Sequence, residues 1–250
     1  MTLKDELRAI AVELATEAGE ILLSMEAGRI SAKSSPTDLV SDADRAAELH
    51  IFESLMKLRP DDSIVAEEGS VNVGTTGIEW VIDPLDGTVN YIYGFPQWCV
   101  SIGIEGTERL GVVHDPNRRE TFTDLGPHRP SRKTELADSL IGTGFSYSVE
   151  TRTRQAALLA EILPQLRDVR RAGSCALDLA WVACGRLDGF YEEDVRHWDT
   201  SAGIAIVQGA GGHAEQRGPV TFAAGTKELL EKLEELVLGN LDHETKIRAQ

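Results

Sequence analysis

The stretch WVIDPLDGT, residues 80–88, decides how this chain is read. Trp80, Val81 and Ile82 form an apolar run of strand character, which delivers Asp83 and Asp86 into a bend set by Pro84 and continued by Gly87 and Thr88. Two carboxylates held on a rigid turn suit Mg²⁺, a hard cation that takes one or two carboxylates and completes its shell with water and phosphate oxygens. Asp-Pro and Asp-Gly are also ordinary turn pairs whose side chains bond their own backbone, so taken alone the stretch fits a plain turn equally well.

Further acids in matching positions shift that balance. VAEEG, residues 65–69, ends another short apolar run with Glu67 and Glu68, and far downstream Asp199 follows His197 and Trp198 at the start of a helical run. Asp199 by itself reads as an N-capping acid, worth about 1 kcal/mol. Three acid elements, each at the end of a strand or the start of a helix, instead point to a cation and phosphate site.

Composition narrows what such a site can serve. With 25 Lys and Arg against 41 Asp and Glu, the formal charge is -16, which opposes nonspecific binding to nucleic acid or anionic lipid. A phosphorylated substrate is repelled by the same charge, so strict divalent-cation dependence is expected. The three cysteines, Cys99, Cys175 and Cys184, are odd in number and scattered among apolar neighbours, which predicts reduced core thiols and a cytoplasmic setting. The N-terminus interleaves acids with apolar residues and does not read as a signal peptide, and no window resembles a membrane span. His114, His197 and His213 lack metal-ligand spacing, and no Ser, His and Asp arrangement supports a covalent phosphoenzyme.

Apolar residues at three- and four-residue spacing from Leu3 to Met25 predict a long amphipathic helix ended by Gly28. A polar segment, 33–37, follows, and Ser41 with Asp44 predicts a capping box opening a helix that runs towards Met56. Strands are expected at 64–66, 79–82, 99–104, 110–114 and 120–123, with a short helix after the 80–88 turn. A loop over 124–133 divides the chain into an N-terminal lobe, 1–123, and a C-terminal lobe, 134–250. In the second lobe strands are expected at 140–143 and 187–191, and helices at 152–163, 174–183, 200–208 and 226–236.

In chain order, DLVSDAD (38–44), AEEG (66–69), WVIDPLDGT and WDTSAG (198–203) resemble the motifs of the inositol monophosphatase family, including its bacterial inositol-1-monophosphatases, along nearly the full length. The resemblance implies an α/β (α+β) fold, the layered αβαβα sandwich of the sugar phosphatases, and a lithium-sensitive phosphatase holding two or three Mg²⁺ ions. It implies that Glu67, Asp83 and the carbonyl of Leu85 hold one ion and that Asp83, Asp86 and Asp199 hold another. Two ions bridged in this way stabilise the entering and leaving oxygens of an in-line displacement.

The same resemblance assigns Asp44, Glu67 and Thr88 to activation of the attacking water, and the N–H groups of Gly87 and Thr88 to the phosphate. Asp86, the turn of Gly173, Ser174 and Cys175, Glu192 and Asp199 would meet the alcohol hydroxyls. Lys33, Arg170 and Arg171 fall near the site in this pattern, with ordinary surface roles as the alternative, and Glu68 reads either as an acid acting through water or as the cap of the turn before Gly69. The implied reaction is hydrolysis of inositol monophosphate by metal-activated water, in a homodimer. Alternatives are histidinol phosphate, fructose 1,6-bisphosphate, adenosine 3',5'-bisphosphate, a dinucleotide 2'-phosphate, or a partner-binding regulatory role. The segment 124–132 departs from the family by lacking its glycine-rich hairpin, which puts the cleft mouth and dimer contacts in doubt.

Overall fold

The structure is a computed structural model that describes residues 2–25, 29–32 and 39–248. Gly28, Lys33 and the 33–37 segment lie outside the described residues.

Helix α1 (Leu3–Ser24) starts at a capping box in which the Asp5 N–H donates to the Thr2 hydroxyl and the Thr2 N–H donates to Asp5. Its buried stripe is Leu7, Ala11, Leu14, Ala15, Ala18, Gly19 and Leu22. A short hairpin follows, β1 (Ile30–Ala32) antiparallel to β2 (Leu39–Ser41), and α2 (Asp42–Leu58) opens from the expected Ser41 and Asp44 box.

The first sheet comprises β3 (Ser63–Ala66), β4 (Val71–Asn72), β5 (Ile78–Asp86), β6 (Cys99–Gly106), β7 (Leu110–Asp115) and β8 (Glu120–Thr123). Its order is β4-β3-β5-β6-β7-β8, with β3 parallel to β5 and the other pairs antiparallel. The 80–88 stretch is more strand than turn. β5 runs through Asp86, with Asp83 opposite Ser101 and Asp86 opposite Cys99, so β5 carries one extra residue there. This bulge falls at Pro84, which has no N–H for the ladder, and it re-aims the two aspartates at the strand end.

The second half supplies β9 (Leu140–Thr143), α4 (Val149–Ile162), β10 (Asp168–Arg170), α5 (Cys175–Ala183), β11 (Gly189–Glu193), α6 (His197–Gly209), β12 (His213–Arg217), β13 (Val220–Ala224) and α7 (Lys227–Arg248). The second sheet is ordered β10-β9-β11-β13-β12. Strands β10, β12 and β13, like β1 and β4, were not expected from periodicity. β13 is a buried five-residue run, Val-Thr-Phe-Ala-Ala, too short to show a period, and β12 is mostly polar because it forms the sheet edge.

Three buried clusters define the layers. One joins α1 and α2 to the first sheet. A second sets α5 and α6 between the sheets, with Cys99, Val113 and Phe122 on one side and Phe190, Ala214 and Ala223 on the other. The third packs α4 and α7 on the outer face of the second sheet. The order is therefore αβαβα, as expected. Helix α6 packs its backbone against the first sheet where Gly103 and Gly111, paired across β6 and β7, carry no side chains. A Cβ on Gly111 would sit 2.2 Å from the carbonyl oxygen of Ala202. The 124–133 loop is anchored to α1, since the Arg8 guanidinium donates to both carboxylate oxygens of Asp124 at 2.8 and 3.1 Å.

Candidate active site

Glu67 and Asp83 lie side by side because β3 and β5 are parallel, with Ala66 opposite Ile82, so the residue after each falls at the same end of the sheet. The Glu67 N–H still donates to Ile82 O at 3.0 Å. The turn beyond it is held by a residue not anticipated from sequence. Buried Glu48 on α2 accepts from the N–H groups of Glu68 at 2.6 Å and Ser70 at 2.9 Å. Along the chain Glu48 is only a helix glutamate one turn beyond Asp44, and its burial is set by the fold.

Asp83 is fully enclosed, and burial together with Glu67, Asp86 and Asp199 holds its carboxyl well above the usual carboxylate range. Glu67 and Asp83 are like charges that disfavour each other's ionised form, an arrangement that a proton or a cation between them relieves. Asp86 is pushed up to about 6, chiefly by burial, while hydrogen bonds from the Ser174 hydroxyl and the Ala176 N–H, both at 2.7 Å, oppose the shift. Asp199 is raised by burial and by Asp86 and Glu67. It is the third residue of α6 and not its N-cap, which is Arg196, and its carboxylate reaches back to accept the N–H of Arg196 at 2.7 Å while also converging on Asp83 and Asp86. Four acids from β3, β5 and α6 thus share one cleft of about 930 Å³, which Leu85, Gly87, Thr88, Gly173, Cys175 and Glu192 also line. The hard-oxygen donor set and its mutual repulsion fit a divalent cation.

Beside the acids, Thr88 Oγ1 lies 3.0 Å from Asp44 Oδ1 and 3.2 Å from Leu85 O. The other Asp44 oxygen accepts the N–H of Ser41 at 3.0 Å and also its hydroxyl, which fixes the carboxylate at the start of α2. Thr88 opens α3 (Thr88–Ile92), capped by Gly87 at φ 99°, where a Cβ would come within 2.9 Å of Gln97 O. This helix has only five residues, so any anion affinity rests on its free N–H groups more than on a macrodipole.

On the opposite wall Ser174 caps α5, with the Leu177 N–H donating to its hydroxyl. The Cys175 thiol is pushed up by burial and by Glu192, Asp86 and Asp199, which suits a packing role and not a thiolate. Glu192 sits against Gly144, where a Cβ would fall 1.9 Å from its carboxylate. Burial raises Glu192 to about 8 against the opposing pull of Arg171. Arg171 also opposes the upward shift of buried Asp178 on α5, a partner that sequence spacing did not reveal. Arg170 is not among the residues lining the cleft and pairs with Asp168.

One further grouping involves His197, which has no ligand spacing along the chain. Glu79, Glu105 and His197 bring ligand atoms within 4.8 Å of one another, although they are far apart in sequence. Glu79 and Glu105 are opposite each other on β5 and β6, and His197 Nε2 lies 3.3 Å from Glu105 Oε2. None of the three lines the cleft of Asp83.

A sequence model described as "Inositol monophosphatase family" matches residues 3–249. The chain belongs to the inositol monophosphatase family. Family members are generally metal-dependent, and this chain is a phosphoric monoester hydrolase. It is similar to the inositol-1-monophosphatase of Mycobacterium bovis, at 40% identity over 251 residues covering 88% of this chain and 87% of the relative. It is also similar to the Nus factor SuhB of Xylella fastidiosa, at 40% identity over 220 residues covering 82% of this chain and 79% of the relative. Among solved structures, the extragenic suppressor protein suhB of Bartonella henselae superimposes with a TM-score of 0.86 at 32% identity, covering 93% of this chain and 98% of that one. Among the described residues no helix is long and apolar enough to cross a membrane.

Proposed function

We propose that this phosphatase is Mg²⁺-dependent and hydrolyses myo-inositol 1-phosphate or a close polyol phosphate. The observation that carries the reading is the meeting of Glu67, Asp83, Asp86 and Asp199 in one cleft, with the Thr88 and Asp44 pair beside them. Glu67, Asp83 and the Leu85 carbonyl would hold one ion, and Asp83, Asp86 and Asp199 another, two or three ions being the family expectation. When bound, Mg²⁺ supplies charge neutralisation at the phosphate and makes water a stronger nucleophile near neutral pH.

The chain's own groups divide the remaining work. The Thr88 hydroxyl donates towards Asp44 and keeps its lone pairs for an incoming water, while Asp44 is the base within reach of that pair. The N–H groups of Gly87 and Thr88 meet the phosphate. Asp86, the turn of Gly173, Ser174 and Cys175, Glu192 and Asp199 meet the hydroxyls of the alcohol. Carboxylates accept hydrogen bonds from several hydroxyls at once, which suits a polyol.

We further propose a homodimer working in the cytoplasm, with lobes 1–123 and 134–250 closing on the cleft. A panel of phosphate esters assayed with Mg²⁺ tests the substrate. Strong preference for a nucleotide over inositol phosphate would overturn the choice, and substantial hydrolysis after thorough chelation would defeat the metal requirement. Li⁺ should inhibit, and full activity at high Li⁺ would argue against this metal set.

A second reading has its own support, because the Xylella fastidiosa relative bears the name Nus factor SuhB. In that reading the chain also binds a regulatory partner. Pull-down with Asp83→Asn and with the native chain tests it, and absence of any partner in both leaves catalysis alone.

A further inference from the structure

We propose that Asn90 is a positioning residue that sets the spacing between the phosphate turn and the hydroxyl turn, and through it the preference for a polyol ester. The inference rests on the polyol reading above. Asn90 Nδ2 lies 2.6 Å from Gln97 O, 2.9 Å from Ala172 O and 3.3 Å from Gly173 O. Three carbonyl oxygens around one amide group identify that group as the NH₂, because an amide oxygen there would meet only other acceptors. Its two hydrogens serve all three, so no donor is spare.

The contact is tight on the far side as well. Gly173 has φ 93°, and a Cβ there would come within 2.9 Å of Asn90 Nδ2. The amide of Asn90 therefore rests directly on the Ala172 and Gly173 backbone, which leads at once into Ser174.

These bonds close a ring. From Asp86 the chain runs through Gly87 and Thr88 to Asn90, crosses by hydrogen bond to Ala172 and Gly173, continues to Ser174, and returns by the Ser174 hydroxyl to Asp86 Oδ2 at 2.7 Å. Segments 82 residues apart are thus tied at two points. One tie alone would act as a pivot, and two prevent the turns from rotating against each other. The Asp86 tie belongs to the acid cluster. Asn90 is the tie that touches no acid and does not itself line the cleft, meeting the lining only through the backbone of Gly173, so its part is to fix the distance between the turns.

A polyol phosphate needs both turns at once, whereas an ester lacking ring hydroxyls engages only the phosphate turn. The Mg²⁺-loaded native chain, Asn90→Ala and Asn90→Asp are compared on myo-inositol 1-phosphate and on p-nitrophenyl phosphate, with inhibition by inorganic phosphate measured alongside. The ratio of kcat/KM for the two esters should fall roughly 10- to 30-fold in both variants, as expected for loss of one or two such bonds. Inhibition by phosphate should stay within about threefold. Asn90→Ser, which keeps one donor, should recover part of the ratio and gives a readout should the alanine variant not fold. Parallel loss on both esters, or an unchanged ratio in variants of a discriminating native enzyme, overturns the assignment to Asn90 alone. A native enzyme that does not favour the inositol ester overturns the polyol reading and the assignment with it.

Discussion

Replacing Glu48 by Gln should raise the Mg²⁺ concentration needed for half-maximal hydrolysis by about 10- to 100-fold. Glu48 lies outside the acid cluster, yet its two oxygens accept the Glu68 and Ser70 N–H groups at 2.6 and 2.9 Å and so hold the turn that carries Glu67. An amide retains one oxygen and turns an NH₂ towards the other N–H, which loses one charge-assisted bond of about 1.5 to 3 kcal/mol. Part of that loss will appear in folding, as a melting temperature lower by roughly 4–8 °C for about 2 kcal/mol in a chain of this size. Cation affinity falls in addition, because the turn carrying Glu67 is no longer held, and groups that orient metal ligands typically contribute one to two orders of magnitude. A Mg²⁺ titration of hydrolysis and a thermal melt on the same preparations separate the two. A variant that melts earlier while its Mg²⁺ half-saturation stays within twofold of native would refute the reasoning, since Glu48 would then support the fold and not the ligand.

Asp199→Asn keeps an oxygen for the Arg196 N–H, so the melting temperature should change little while hydrolysis falls at least about 100-fold; retained activity would remove Asp199 from the proposed ligand set. Gly111→Ala presses a Cβ against the Ala202 carbonyl and should destabilise by about 1 to 3 kcal/mol or more in a denaturant melt, whereas an unchanged midpoint would mean that α6 can retreat from the sheet. Glu192, raised to about 8 in the folded chain, favours the metal-free fold while protonated. That contribution is complete below the ordinary glutamate range of about 4.3 and is lost as pH rises through about 8, so Glu192→Gln should flatten the decline in melting temperature of the chelated protein across this window. An equally steep decline in the variant would assign the effect to other acids.

The acids were legible in the sequence because each is set by local chemistry. Asp83 and Asp86 flank a proline that cannot donate to a ladder, Ser41 and Asp44 spell a capping box, and Asp199 sits where a helix begins. The same locality made α1, α2 and every strand of the first sheet but β4 readable from spacing alone. What the sequence could not carry was distance between segments. Glu48, Asn90 and Asp178 look like ordinary helix polar residues until the fold sets them against backbone or charge contributed from elsewhere. His197 likewise has no ligand spacing along the chain and acquires Glu79 and Glu105 only through the pairing of β5 with β6. β12 and β13 were missed for a related reason, since a polar edge strand and a five-residue buried run show no period, and only the sheet beside them decides their conformation. Local chemistry therefore determined which carboxylates stand at strand ends and helix starts. Tertiary structure decided which of them meet, because burial and mutual repulsion act between groups that the chain brings together only when its two sheets close around α5 and α6.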